Sequence, residues 1–272
     1  SGWAGVCADL RGARAIGGAT ACAAGRVVSR PVAVSGRDLS GWRVVAGRAS
    51  SEAAVTELCC ELATGHGGDV ALAARMIQAC AEAGAHTVKV QAYSLDAINP
   101  ADQQAEWLRT AWLSPEALRA LKCVAEAHDV QFLVTPFDAE ALQMLRSLGL
   151  TRFKIASSQC HEDWWHGGEQ WVVSWPWGNR GDTSYAHWID VTAIPLYPTP
   201  LEAIGRATVL DGWSDHGIGL TACQRALVLG VRYLEVHVTI EGARQMPFDN
   251  TMDEVRTLRR MIDDLETINS GV

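Results

Sequence analysis

Residues 55–91 read VTELCCELATGHGGDVALAARMIQACAEAGAHTVKVQ. The run VTELCCELA (55–63) is short, apolar and rich in residues that suit a half-buried strand. A glycine-rich turn follows, and DVALAARMIQACAEAG (69–84) then places its apolar residues at helical spacing and closes on glycine. HTVKVQ (86–91) returns to strand character. Strand, helix and strand in immediate succession mark a parallel α/β unit.

The same rhythm continues outward. SPEALRALKCVAEAH (114–128) opens with a serine N-cap, proline at the first helical position and glutamate at the second. VQFLV, DAEALQMLRSLG and RFKIAS follow, then QWVVSW and WIDVTAI, then PLEAIGRA, VLDGWS, TACQRALVLG, YLEVHVTI and TMDEVRTLRRMIDDLE. Eight candidate strands in a chain of 272 residues make a (β/α)8 TIM barrel the leading fold, with a doubly wound open sheet second. Between Ser157 and Tyr197 the helices are shortened or lost, so the barrel is expected to be irregular around strands 4–6. Seven of the eleven tryptophans fall between Trp164 and Trp213, which leaves two readings, core packing where helices are missing or an aromatic wall over a ligand or partner. Residues 1–50, rich in Ala, Gly, Val and Arg, precede the rhythm and are expected to form an N-terminal extension, as a hairpin or barrel-bottom cap. Residues 51–272 form the expected barrel domain.

Composition narrows the function. A formal net charge of −8 argues against a nucleic-acid binder, which needs a basic patch. No apolar stretch is long enough for a membrane span, and no basic-then-apolar leader is visible at the N-terminus. The eight cysteines are scattered without a C-x-x-C pair, which fits buried free thiols in a reducing cytosol and points to a cytoplasmic protein.

Lysine is rare: only Lys89, Lys122 and Lys154 occur among 23 basic residues. Lys122 lies on a solvated helix face, whereas Lys89 (HTVKVQA) and Lys154 (RFKIASS) sit inside apolar strands and ask for a specific reason. In a barrel the chemistry gathers where the C-terminal ends of the strands converge. Those ends offer Glu61 with His66 behind it, Lys89 and Gln91, Thr135, Lys154 with Ser157 and Ser158, Ser174, Tyr197, the trio Ser214, Asp215 and His216, and finally Glu235 and His237. Lysines and hydroxyls are what a phosphate or carboxylate dianion needs. Two neutral imidazoles from adjacent strands suit a divalent metal with positions open for substrate or water.

With these residues in order, ELATGHGGD, VKVQ, FLVTPFDAEALQMLRSLG, FKIASS, YPTP, WSDHGIGL and LEVHVTI…MPFD resemble the sialic acid synthase family, over about Val55 to Glu266. The resemblance implies a synthase that condenses phosphoenolpyruvate with an aldose or other aldehyde. It implies His216 and His237 as ligands of a divalent metal, Mn²⁺ with Mg²⁺ or Co²⁺ as alternatives. Lys89, Thr135, Ser157, Ser174 and Ser214, with Tyr197 beside them, match positions that hold the phosphate and carboxylate. Lys154 matches a functional lysine, and Glu61 and Asp249 match carboxylates that handle the acceptor's hydroxyls. Asp215, inside the WSDH motif, joins Glu61, Lys89 and Lys154 in the expected catalytic set.

Departures fall on the acceptor side. Gly65 stands where the family has asparagine, Gln159 where it has glutamate, and Ser174 is followed by WPW. The family's C-terminal antifreeze-like domain has no counterpart before Val272, which leaves a homodimer or a separate lid protein open as the cover of the site. An acceptor other than an N-acetylmannosamine-type sugar is expected, and an apolar or aromatic aldehyde would suit a tryptophan-lined pocket. Two other readings stand beside the synthase: a Schiff-base aldolase using Lys154 or Lys89, and a catalytically silent barrel that binds a partner through its tryptophans.

Overall fold

The computed structural model describes residues 55–165, 167–180 and 189–270. The expected N-terminal extension, residues 1–50, lies outside the described residues. Eight parallel strands close into a barrel in chain order: β1 Glu57–Ala63, β2 Thr87–Ala92, β3 Gln131–Pro136, β4 Arg152–Ile155, β5 Gln170–Pro176, β6 Ile189–Ala193, β7 Gly212–Asp215 and β8 Tyr233–His237. β8 pairs with β1 in register from Glu57↔Tyr233 to Glu61↔His237, so no strand edge is left open. The (β/α)8 expectation holds; the open sheet does not.

The helices are α1 Val70–Glu82, α2 Ala105–Thr110, α3 Pro115–Ala127, α4 Ala139–Ser147, α5 Leu201–Ile204, α6 Thr221–Val228 and α7 Met252–Ser270. Their ends follow the local chemistry. Asp69 caps α1 by accepting from the Ala71 and Leu72 amides, and Ser114 caps α3 by accepting from Ala117. Gly84, Gly149 and Gly230 close α1, α4 and α6 in the left-handed region, with φ of 93°, 78° and 79°. Among the described residues no helix lies between Ile155 and Leu201, and α5 is a single turn, as the lost rhythm there implied.

Tryptophans fill the space those helices vacate. Trp165, Trp171, Trp175 and Trp213 are fully buried, and Phe153 packs tilted on Trp171, which meets Trp165 edge-on, with ring centroids 5.4 Å apart at each step. The indole N–H of Trp165 donates to the Gln159 carbonyl and that of Trp175 to Asp190. Core packing is therefore the correct reading for these four, and the aromatic wall over a ligand is not. Their large area replaces the apolar face a helix would have supplied.

Strand alternation divides the barrel. Leu58, Cys60, Leu62, Val88, Val90, Phe153, Ile155, Val173, Leu234 and Val236 point outward into the main core against the helices. The inward positions stack in layers. At the N-terminal end, Arg152 makes a two-pronged ion pair with Glu57, at 2.8 and 2.6 Å. Thr87 donates to the same carboxylate and Gln131 accepts from Arg152. Above them, Cys59, Leu133, Val172, Val191 and Tyr233 form a small apolar layer. Gly212 belongs here because a Cβ at that position would meet the Tyr233 carbonyl at 2.9 Å and Val191 at 3.0 Å. The next inward residues, toward the C-terminal mouth, are Glu61, Lys89, Thr135, Lys154, Ser174, Ser214 and Glu235, all buried.

Candidate active site

The upper layer is a charge cluster built on strand register. Glu61 pairs with Lys89 across β1 and β2 and with His237 across β1 and β8. A bulge at the end of β1 aims its carboxylate. The register slips between Glu61 and Ala63, Ala63 takes a left-handed φ of 47°, and its amide donates to Glu61 Oε1 at 2.5 Å. Lys89 Nζ forms an ion pair with Glu61, donates to Thr135 Oγ1 at 3.1 Å and lies 3.5 Å from Glu235 Oε1. Lys154 Nζ reaches the same oxygen at 3.4 Å. Ser214 Oγ donates to it at 2.9 Å, and the Tyr233 hydroxyl takes the second carboxylate oxygen at 2.8 Å.

Two ammoniums thus share one carboxylate in a water-poor setting, and their proton affinities diverge. Burial opposes the Lys89 charge, but Glu235 and Glu61 outweigh burial and raise its pKa. For Lys154 burial wins, with Lys89 adding repulsion, and its pKa falls. Burial pushes Glu61 up against the pull of Lys89. Glu235 resists burial because Lys154, Lys89, Tyr233 and Ser214 all favour its anion, and it is held well below the usual carboxylate range.

Above this cluster stand the two histidines. The His216 and His237 rings lie 5.2 Å apart between centroids, with Phe248 edge-on to both and Tyr197 tilted over His216 at 4.4 Å. Burial lowers His216 to about 4 and takes His237 well below its ordinary value, so both imidazoles are neutral. His216 Nδ1 is buried without a hydrogen-bond partner, as is Ser174 Oγ on β5. An orphaned imidazole nitrogen beside a second neutral imidazole is a donor set that fits a divalent cation. Among the described residues no third His, Cys, Asp or Glu joins them, so such a site would stay open to substrate and water.

The structure brings most of the sequence-derived set together, with exceptions. Ser157 and Ser158 lie beyond the end of β4, in a turn where Ser157 offers its carbonyl to the Cys160 thiol. Asp249 sits in the loop after β8, where Oδ2 accepts from the Met246 amide at 2.7 Å. Asp215 departs furthest. Ser214 faces the barrel interior, so strand alternation turns Asp215 outward, where it accepts from the Trp213 indole at 3.0 Å. It is buried but stands apart from the charge cluster. Glu235 was read only as a polar strand end, yet four side chains converge on it. Its signal was the period-2 series Tyr233, Glu235, His237, which places all three on the inner face. Gly65 also has a structural reading. A Cβ there would meet the carbonyls of Leu62 at 3.2 Å and Arg244 at 3.3 Å, and the Arg244 amide donates to the Gly65 carbonyl at 2.8 Å.

Sequence comparison accounts for this arrangement: the NeuB family profile matches residues 76–164 and 198–271. The chain belongs to the NeuB family. An N,N'-diacetyllegionaminic acid synthase of Campylobacter jejuni is 24% identical over 258 residues, covering 80% of this chain and 77% of that protein. An uncharacterized protein of Methanocaldococcus jannaschii is 23% identical over 228 residues, covering 75% of this chain and 68% of that protein. In fold, the chain is similar to the N-acetylneuraminic acid (sialic acid) synthetase of Leptospira borgpetersenii, with a TM-score of 0.66 and 24% identity over 79% of this chain and 85% of that one. The family resemblance read in the sequence is borne out.

Proposed function

We propose that this NeuB-family barrel is a condensing synthase that joins phosphoenolpyruvate to an aldehyde or aldose and releases phosphate. The observation that carries the reading is the placement of Lys89 and Lys154 on one shared carboxylate, directly beneath two neutral imidazoles at the barrel mouth. Lys89, Lys154, Thr135, Ser174 and Ser214 hold the phosphate and carboxylate, the orphaned Ser174 hydroxyl gaining a partner as the anion enters. Ser157 and Tyr197 border the same anion from their loops, and Asp249 meets the acceptor's hydroxyls from the rim. His216 and His237 would hold a divalent cation, Mn²⁺ in this reading, which would supply polarisation of the acceptor's carbonyl oxygen.

Carbon 3 of phosphoenolpyruvate bonds to the aldehyde carbon, water adds its oxygen to carbon 2, and the carbon–oxygen bond to phosphate breaks to leave an α-keto acid. Of water's two protons, one leaves with the departing phosphate as the carbon 2 hydroxyl becomes the keto group, and the other balances the one taken by the acceptor oxygen. Glu61, whose burial favours its protonated form, holds that proton, with the Ala63 amide fixing its carboxyl. The closed space at Gly65 supports an acceptor other than an N-acetylmannosamine-type sugar, since no side chain reaches out from that position. The free state of all six described cysteines supports a cytoplasmic setting.

Calorimetric titration of phosphoenolpyruvate into the Mn²⁺-loaded protein tests the reading. We expect binding that Lys89→Ala and Lys154→Ala each weaken by about a hundredfold, the scale for truncating a buried charged partner. No binding to the folded, metal-loaded wild type refutes it. One observation favours a second reading: the Lys154 amine, its pKa lowered by burial, is a candidate Schiff-base nucleophile. Borohydride trapping of pyruvate on Lys154 would support an aldolase instead.

A further inference from the structure

The position of Asp215 calls for a role that does not touch substrate. Its carboxylate lies on the outer face of β7, under α6, and is buried there to 2% exposure. The Trp213 indole donates to Oδ1 at 3.0 Å. The Cys223 thiol from α6 and the backbone amides of His216 and Gly217 lie near the same carboxylate and favour its anion. Gly217 packs directly against it, since a Cβ there would lie 3.5 and 3.6 Å from the two oxygens. Every one of these groups belongs to β7, to the turn that follows it or to the helix that closes the unit.

That turn carries His216. Its carbonyl accepts from the Thr199 amide at 2.7 Å, and Thr199 bridges to Gly217, so the β6 and β7 loops are tied together at the same point. On one side of the turn the carboxylate packs against Gly217; on the other the imidazole projects toward His237. A short loop end satisfied in this way loses freedom before any ligand arrives, which is how outer partners fix a first ligand's orientation.

We infer that Asp215 is a positioning residue for His216, holding the turn so that the imidazole stays poised beside His237 for the cation. The inference rests on the two-histidine metal reading above. It assigns to Asp215 no contact with phosphoenolpyruvate or the acceptor and no part in proton transfer.

Co²⁺ titration followed by visible absorption separates these cases, because the spectrum reports coordination geometry whether or not the protein turns over. Wild type, Asp215→Ala, Asp215→Asn and Trp213→Phe are compared, with His216→Ala as the control for ligand loss. Asparagine keeps one acceptor oxygen for the indole or an amide. We expect Asp215→Ala to weaken Co²⁺ binding at least tenfold with an altered spectrum, Asp215→Asn to stay within about fivefold of wild type, and Trp213→Phe to fall between them. Where the alanine variant does not fold, the asparagine and phenylalanine variants carry the comparison, and wild-type affinity and spectrum in Trp213→Phe then overturn the inference. Wild-type binding in Asp215→Ala overturns it as well, as does an asparagine variant no better than alanine. Failure of the wild type itself to bind Co²⁺ refutes the metal reading instead.

Discussion

The barrel contains two inward-facing polar layers that differ in how fully they are satisfied. Near the N-terminal ends, Glu57, Thr87, Gln131 and Arg152 partner one another: both terminal guanidinium nitrogens, Nη1 and Nη2, and both carboxylate oxygens are engaged. Near the C-terminal ends, Glu61, Lys89, Lys154 and Glu235 balance in charge, yet Ser174 Oγ and His216 Nδ1 are left without partners. The apolar layer of Cys59, Leu133, Val172, Val191 and Tyr233 lies between the two. A layer that is complete by itself has no need of a ligand, whereas an incomplete one stores a desolvation cost that a ligand can relieve. The difference supports the upper layer as the place for the proposed chemistry and the lower one as a plug.

The largest expected effect tests that distinction at Glu235. Glu235→Gln leaves Lys154 and Lys89 partly uncompensated in a buried site, at a cost of about 3 kcal/mol in unfolding free energy. An anion should restore much of it, because phosphate or phosphoenolpyruvate supplies the missing negative charge. Denaturant melts with and without phosphate read this directly. A variant whose stability phosphate does not raise more than it raises the wild type's would end the idea that the layer awaits an anion.

Arg152→Met probes the lower layer. The ion pair is partly exposed, at 18% and 19% for the two side chains, so the loss should be nearer about 2 kcal/mol than the cost of breaking a fully buried pair. Phosphoenolpyruvate affinity should stay within about twofold, since this layer has no share in the anion site. A drop in affinity comparable to that of the lysine variants would show that the two layers are coupled through the apolar one.

Much of this was legible from residue order. VKV and FKI marked Lys89 and Lys154 as lysines inside apolar strands, and strand and helix signals gave eight strands with helices between most of them, because both rest on short-range periodicity. The tryptophans were ambiguous for the opposite reason. Sequence shows that a helix is missing but not which aromatic turns in to replace it, and Trp165, Trp171, Trp175 and Trp213 all turned in. Asp215 shows the limit of motif reading: SDH looks like one constellation, yet strand alternation sends Ser214 and Asp215 to opposite faces. Glu235 was visible at a strand end, but its importance depends on Lys89, Lys154, Ser214 and Tyr233 converging from four strands, an arrangement only the closed barrel creates.

The smallest effect concerns a group at the rim, above both layers. Burial raises Asp249 to about 6, against about 3.9 for an unperturbed aspartate. A carboxyl that binds its proton more tightly when folded contributes stability below its unfolded pKa. That contribution is lost as pH rises from about 4 through about 6. The neutral histidines, His66 and His216 at about 4, act in the reverse sense over part of this range, favouring the fold as pH rises. They do so equally in wild type and in Asp249→Asn, which keeps an oxygen to accept from Met246. The difference between the two proteins therefore isolates Asp249. Thermal unfolding should find the asparagine variant gaining on wild type by a few degrees between about pH 4.5 and about pH 7.5. A constant difference across that range would mean that the rim carboxyl is as well solvated as a surface group. Asp249 would then meet an acceptor as an ordinary anion instead of a group poised between protonation states.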